Sequence, residues 1–324
     1  MKRLALFVLA AGCAGSVQAE TIIGLRESAA PMHLISFDSA APGTLTGDVA
    51  LSGVPANVTP IALEFRPGTA GLILVGNGPT ANECQLYTVN TSTGAVTPVG
   101  AAMFVCTGGV TEIDVNPSVD RVRVFKGAEN YRVNPADGVK TADTAAAYVT
   151  GDAGAGTTPD VLGAAYDQNT AAAPATTLFA LEGAKDALVR VGSVNGTPNS
   201  PNTGELTTIG GLGIDISFGA PFDISAATGT AYLFTFDLPF AAGTNGKLRT
   251  VNLTTGAASA GVKIGTDSLN LLGMAVAPGI TLAQPTGSGG TPAGGGGSGG
   301  GLGLLSLLGL LPALAARWRK LKKA

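Results

Sequence analysis

The chain has 324 residues, with 48 glycines, three cysteines, 5% aromatics and 19 Lys and Arg against 22 Asp and Glu. Lys2 and Arg3 at one end and Arg317, Arg319, Lys320, Lys322 and Lys323 at the other leave 12 basic residues against all 22 acids in the body, a net charge near −10. An acidic body with no basic stripe argues against nucleic acid, whose phosphates demand clustered Lys and Arg, and against anionic lipid surfaces; sparse aromatics reduce the case for platforms that stack sugars or bases.

Lys2 and Arg3 precede the apolar run Leu4 to Ala11 and small residues ending in Val17-Gln18-Ala19. This is the order of a secretory signal peptide, which predicts a leader over 1–19, cut by signal peptidase after Ala19, and a mature chain from Glu20. A second reading is a lipoprotein-type cut before Cys13, although Ala10-Ala11-Gly12-Cys13 lacks the usual leading Leu.

Residues 20–283 contain almost no helical periodicity and are crowded with Gly, Thr, Val, Asn and Pro, the composition of short strands joined by tight turns. Two signatures alternate along them. The first is strand, turn, strand, at 61–76, 111–127, 163–183 and 221–237. The second is a strand running into Asp38, Asn90, Asn134, Gly192 or Asn252 and a turn usually closed by Gly. These positions are 52, 44, 58 and 60 residues apart, the repeat length of four-stranded propeller blades. The fifth copy of the first signature is divided between the ends, with GMAVAPG (273–279) as one strand and TIIGLRE (21–27) as the other. A strand donated by one terminus to the blade built by the other closes a ring and leaves no long open edge. The predicted fold is therefore all-β, a five-bladed β-propeller closed by its N-terminal strand, in preference to a solenoid or a pair of sandwiches.

With the leader removed, Cys84 and Cys106 are the remaining cysteines, and outside the cytoplasm they are expected to pair. Closing a loop of that size stabilises by about 3 kcal/mol in the chain-entropy model. Two cysteines and the lone His33 do not make a zinc site.

His33 opens a strand, with no Ser-containing elbow near it, and reads as an edge residue rather than a catalytic base. Carboxylates are the stronger candidates. Strand alternation places Leu63/Phe65, Ile113/Val115 and Phe222/Ile224 on one face of the innermost strands and Glu64, Glu112, Asp114 and Asp223 on the other. Acids gathered near a common axis suit a ligand such as a cation or a sugar, or the paired carboxylates of glycoside hydrolysis; the competing arrangement is cross-strand pairing of Glu112 and Asp114 with Arg121 or Arg123. No cofactor is expected. Calcium has only a weak signal in the turns Asp137-Gly138 to Asp143 and Gly151-Asp152 to Asp160, neither of which has the spacing of a calcium loop.

The segment EIDVNPSVDRVRVFKGAENYRVNPADG (112–138) carries Asn116-Pro117, Asp120 to Val124 and Arg132 to Pro135. It resembles the signature of the bacterial domain-of-unknown-function family 4394, over about residues 21–279. The resemblance implies a secreted, propeller-like repeat domain and brings no activity with it.

After a Gly-rich linker, 284–301, the segment 302–324 is an apolar stretch followed by the basic cluster. Leu302 to Ala316 is 15 uncharged residues, about 23 Å as a helix and just able to span a membrane, with the basic end cytoplasmic. Ser298, Gly299 and Gly300 with the Leu-rich segment and basic end resemble the GlyGly-CTERM tail of Gram-negative bacteria. That resemblance implies transient anchoring in the inner membrane, cutting near the Gly/Ser segment by a rhombosortase-like protease, and release to the cell surface or medium; a permanent anchor fits the same residues. The function expected is a secreted or surface-displayed module that binds an extracellular ligand or protein. The alternatives are a secreted hydrolase or lyase using the axial carboxylates and an anchored structural protein of the envelope.

Overall fold

The computed structural model of the protein describes residues 19–27, 31–80, 82–108, 111–216, 220–236, 246–266, 269–279 and 282. Residues 1–18 of the expected leader, the expected linker and the expected tail with Ser298, Gly299 and Gly300 lie outside them.

Five antiparallel sheets follow one another around an axis. From the axis outward, the first blade is Leu271–Val276, Thr21–Arg26, His33–Asp38 and Leu45–Ala50. The second is Thr59–Arg66, Gly71–Asn77, Glu83–Val89 and Val96–Pro98, and the third Glu112–Asn116, Arg121–Lys126, Glu129–Val133 and Lys140–Ala142. The fourth is Val161–Tyr166, Leu178–Glu182, Ala187–Val191 and Glu205–Gly211, and the fifth Phe222–Ile224, Ala231–Thr235, Lys247–Val251 and Val262–Lys263. The innermost strands neighbour one another in a complete circle, so the expected five-bladed propeller is what forms. The sequence pattern did not announce the fifth strand of the fourth blade, Ala147–Tyr148, which lies parallel to that blade's outer strand.

The ring closes through the split blade. Ile22 to Leu25 pair with Val276 to Gly273, and Arg26 with Leu271 after a bulge. Glu20 adds a clasp on the other side of the same seam: its carboxylate accepts from Thr228 Oγ1 at 3.1 Å, Tyr232 OH at 2.8 Å and Ser225 Oγ, all in the fifth blade. Leu282 is buried with Leu25 and Phe65, which ties down the last described residue as well.

Five apolar clusters fill the five seams between blades. Leu25 and Leu34 meet Leu63 and Leu74 between the first and second blades, and Val75 and Leu86 meet Ile113 and Val124 between the second and third. Phe125 meets Ala164 and Val189, Leu181 meets Phe222 and Leu233, and Phe234 and Leu248 meet Ile22 and Phe37 in the remaining three. Both faces of each inner strand are therefore covered, which is why apolar and acidic residues alike are buried there.

The corner residues singled out in the sequence are chain-reversal devices. Asn90 Oδ1 accepts from Ser92 N at 3.0 Å and Thr93 N at 3.1 Å, and Asn252 Oδ1 from Thr254 N at 2.9 Å and Thr255 N at 3.0 Å. The closing Gly94 and Gly256 have φ of 70° and 81°. A Cβ on Gly94 would lie 2.0 Å from the Ala50 carbonyl oxygen, and one on Gly256 2.4 Å from that of Gly210. Each corner is thus pressed against the outer strand of the preceding blade, and only glycine fits.

Cys84 and Cys106 form the expected disulfide, Cα atoms 5.8 Å apart. It holds the short strand Phe104–Val105 against Glu83–Val89 of the second blade. From there Phe104 meets the ring of Tyr131 in the third blade edge-on, centroids 6.2 Å apart.

Candidate functional site

Alternation along each inner strand sends one set of side chains back to the preceding blade and the other toward the following blade and the axis. Leu63/Phe65, Ile113/Val115 and Phe222/Ile224 belong to the first set. In the second set the signature places Glu64, Asp114, Ala165, Asp223 and Ala275 at one equivalent position of the second, third, fourth, fifth and first blades. Glu112 stands two residues earlier on its strand, where the other blades carry Ala62, Gly163, Pro221 and Gly273. This tier is narrow: a Cβ on Gly273 would lie 2.7 Å from Leu63 N, and one on Gly163 2.4 Å from the Ala220 carbonyl oxygen. The structure brings all four acids together around the axis, each no more than 2% exposed.

Their hydrogen bonds follow the ring. Asp223 Oδ1 accepts from Ile224 N at 2.6 Å and Oδ2 from Val276 N of the first blade at 2.6 Å. Asp114 repeats this, with Oδ1 accepting from Val115 N at 2.5 Å and Oδ2 from Tyr166 N of the fourth blade. Glu64 accepts from Phe65 N at 2.6 Å. Glu112 accepts from Ile113 N at 2.9 Å. Where the equivalent position is Ala165 or Ala275, the methyl group joins the apolar cluster of that seam instead.

Burial is the main cause of the shifted acidities. It raises Glu64, Glu112 and Asp114 well above the ordinary carboxyl range, with repulsion from neighbouring acids adding to the rise and backbone N–H groups opposing it. Asp223 is raised to about 7 by burial, with its two N–H donors opposing and Glu20 adding to the rise. Burial thus favours the neutral form of each of these groups.

The arginines expected as alternative partners go elsewhere. Arg123 is directly opposite Asp114 in strand register, yet its Nη1 donates to Asp143 Oδ2 at 2.5 Å and Asn130 Oδ1 at 2.7 Å, and its Nη2 to Asn202 Oδ1 at 2.6 Å. Arg121 turns to the carbonyl oxygens of Val119 and Asp120. Among the described residues, no ion pair joins an arginine to any of the four acids.

The same geometry accounts for the signature segment. Asn116 Oδ1 caps Ser118 N at 2.9 Å, and Asp120 pairs with Arg66 of the second blade, Nε to Oδ1 at 2.7 Å. Arg132 grips Asp143 at 2.8 and 2.9 Å beside the buried Arg123. These residues shape corners and join neighbouring blades. Sequence patterning finds partners within a sheet; it carried no signal for the contacts between sheets, nor for Glu20.

His33 Nδ1 meets Asp48 Oδ1 at 2.5 Å, and Arg26 meets the other oxygen of Asp48 at 3.0 Å, on the first blade and away from the axial acids. In the turns weighed for calcium, Asp143 is held by two arginines, Asp137 accepts from Val139 N at 2.9 Å, and Asp152 accepts from Gly154 N at 2.8 Å and from Thr208 N and Oγ1, each at 2.7 Å. Among the described residues, no group of three or more His, Cys, Asp or Glu is arranged to hold a metal ion.

Among solved structures, the chain is similar to TolB from Acinetobacter baumannii, at 14% identity and a TM-score of 0.42 over 76% of this chain and 53% of that one. It is similar to a protein from Lactobacillus plantarum at 14% identity and 0.39, over 76% and 67%, and to the periplasmic gluconolactonase PpgL of Pseudomonas aeruginosa at 12% identity and 0.37, over 80% and 99%. The chain thus spans about half the length of the TolB structure. No curated protein matches it. A family model described as "Domain of unknown function (DUF4394)" matches residues 33–275, which hold the signature segment and every blade strand but Thr21–Arg26 and the last residue of Leu271–Val276, and the chain belongs to that family.

Proposed function

We propose that the protein is an exported propeller that acts outside the cell as a ligand-binding or protein-interaction module, without catalysis at its axis. The observation that carries this reading is that the axial carboxylates are buried and used to accept backbone N–H groups, two of them from the next blade. A hydrolase or lyase built on Glu64, Glu112, Asp114 and Asp223 needs a substrate in contact with those groups, and their burial leaves none of them on the surface. The rim, the corners and the seams are the surfaces through which such a module meets its ligand.

In this reading signal peptidase frees Glu20, the tail holds the precursor in the inner membrane, and a rhombosortase-like protease cuts near Ser298 to Gly300. The burial of Glu20 and Leu282 supports it, because the ring is tied shut at residues inside both cuts. Intact-mass measurement of secreted and membrane fractions tests it. A secreted product beginning at Glu20 and ending between Ser298 and Gly303 is expected; a membrane-bound product retaining Ala324 overturns the sorting and favours the anchored structural protein.

A further inference from the structure

Three corners are pressed backbone against backbone on the preceding blade: a Cβ on Gly94, Gly138 or Gly256 would lie 2.0, 2.9 or 2.4 Å from the carbonyl oxygen of Ala50, Val99 or Gly210, respectively. At the corner of the first blade the equivalent residue is Pro42, whose carbonyl oxygen accepts Gly265 N of the fifth blade at 2.9 Å. Gly43, next to it, is exposed and has nothing within 4 Å of a Cβ position. A cleft of 350 Å³ occupies this seam.

The lining has the chemistry of a small-molecule site. Leu45 and Leu269 make apolar walls, Thr44 and Thr266 bring hydroxyl groups, and Arg26 is the one charged lining residue among those described. Arg26 donates through Nη2 to Asp48 at 3.0 Å and has no other hydrogen-bond partner among the described residues. Asp48 is shared with His33, and among the described residues no other acceptor meets the guanidinium, which has five donors. Thr266 is fixed by Lys263, whose Nζ donates to its carbonyl oxygen at 2.6 Å.

We propose that the cleft between the fifth and first blades binds a small organic carboxylate, its carboxylate on Arg26 and its apolar body between Leu45 and Leu269. A guanidinium matches a carboxylate in geometry as well as charge, and the leucine walls select an apolar tail over a bare inorganic anion. The proposal rests on the reading of the protein as a binding module and gives it a place and a ligand class.

Titration calorimetry of the mature protein with hexanoate, hexanamide and inorganic phosphate tests it. Hexanoate is expected to saturate with a Kd below about 1 mM and to bind about tenfold or more tightly than hexanamide or phosphate. Arg26→Gln should weaken hexanoate about tenfold or more by removing the charge-assisted bonds. Gly43→Phe, whose side chain enters open space, should abolish binding while leaving the melting transition in place. Equal binding of hexanamide or phosphate, binding retained by either variant, or no saturation at about 10 mM overturns the proposal. Such a failure is separable from failure of the module reading, whose own test is the mass of the processed product.

Discussion

Asp223 in the fifth blade accepts the backbone N–H of Val276 in the first at 2.6 Å, a bond across the seam where the ring begins and ends. Its other oxygen accepts Ile224 N at 2.6 Å, so one carboxylate holds its own strand and its neighbour's together. Asp223→Ala leaves two buried N–H groups unpaired and should cost about 2–4 kcal/mol at pH 7, with relief of the buried acid offsetting part of the loss. Asp223→Asn keeps one acceptor and should cost about half as much. Urea unfolding measures both; a neutral Asp223→Ala would deny the joint any structural role.

The axial acids also set a pH dependence. Their folded acidities lie above the unfolded values near 4, so between the two the folded state binds more protons, and stability falls as pH rises. For Asp223 the fall runs from about pH 4 to about 7, with a limiting slope of about 1.4 kcal/mol per pH unit, and the other three act in the same direction. Asp120 and Asp152 are lowered, so their contribution is present above about pH 4 and is lost in stronger acid. Thermal midpoints should be higher at pH 5 than at pH 8. A midpoint that rises over that interval contradicts the protonated axis.

Arg123 is 1% exposed and shares Asp143 with Arg132, whose side chain is 25% exposed. Arg123→Ala removes a buried partner from Asn130, Asn202 and Tyr166, leaves Asp143 to Arg132 alone, and should cost about 3–5 kcal/mol. Arg132→Ala removes a solvent-screened partner and should cost about 1 kcal/mol or less. Similar losses in the two variants, read by chemical denaturation, would contradict this division.

Much of this was legible in the chain. The Asn and Gly corners, the interval between them and the divided fifth copy announced the blades and their closure, because turn chemistry and strand alternation are local. Glu64, Glu112, Asp114 and Asp223 were legible as a shared face for the same reason. The partners were not. Strand register puts Arg123 across from Asp114, and within a single sheet that predicts a pair; the fourth blade brings Tyr166 N to Asp114 and Asn202 to Arg123 instead. Nor does any local pattern mark the cleft beside Gly43, which forms only where the first blade meets the fifth.

The disulfide belongs to the second blade and its contact with the third. Replacing Cys84 and Cys106 by Ser reopens a loop with a sequence separation of 22 and should cost about 3 kcal/mol, lowering the thermal midpoint by several degrees. An oxidised protein and its double-Ser variant melting together would show that Phe104–Val105 is held by packing alone.

Hydrogen exchange at the amides of Tyr166 and Val276 most directly tests the axis as a buried set of joints between blades. Both should exchange as slowly as the core strands, and Asp223→Asn should accelerate Val276 while leaving Tyr166 slow. Exchange of both amides at the rate of the exposed corners in the unaltered protein would contradict that account and mark the axis as an open, solvent-filled channel.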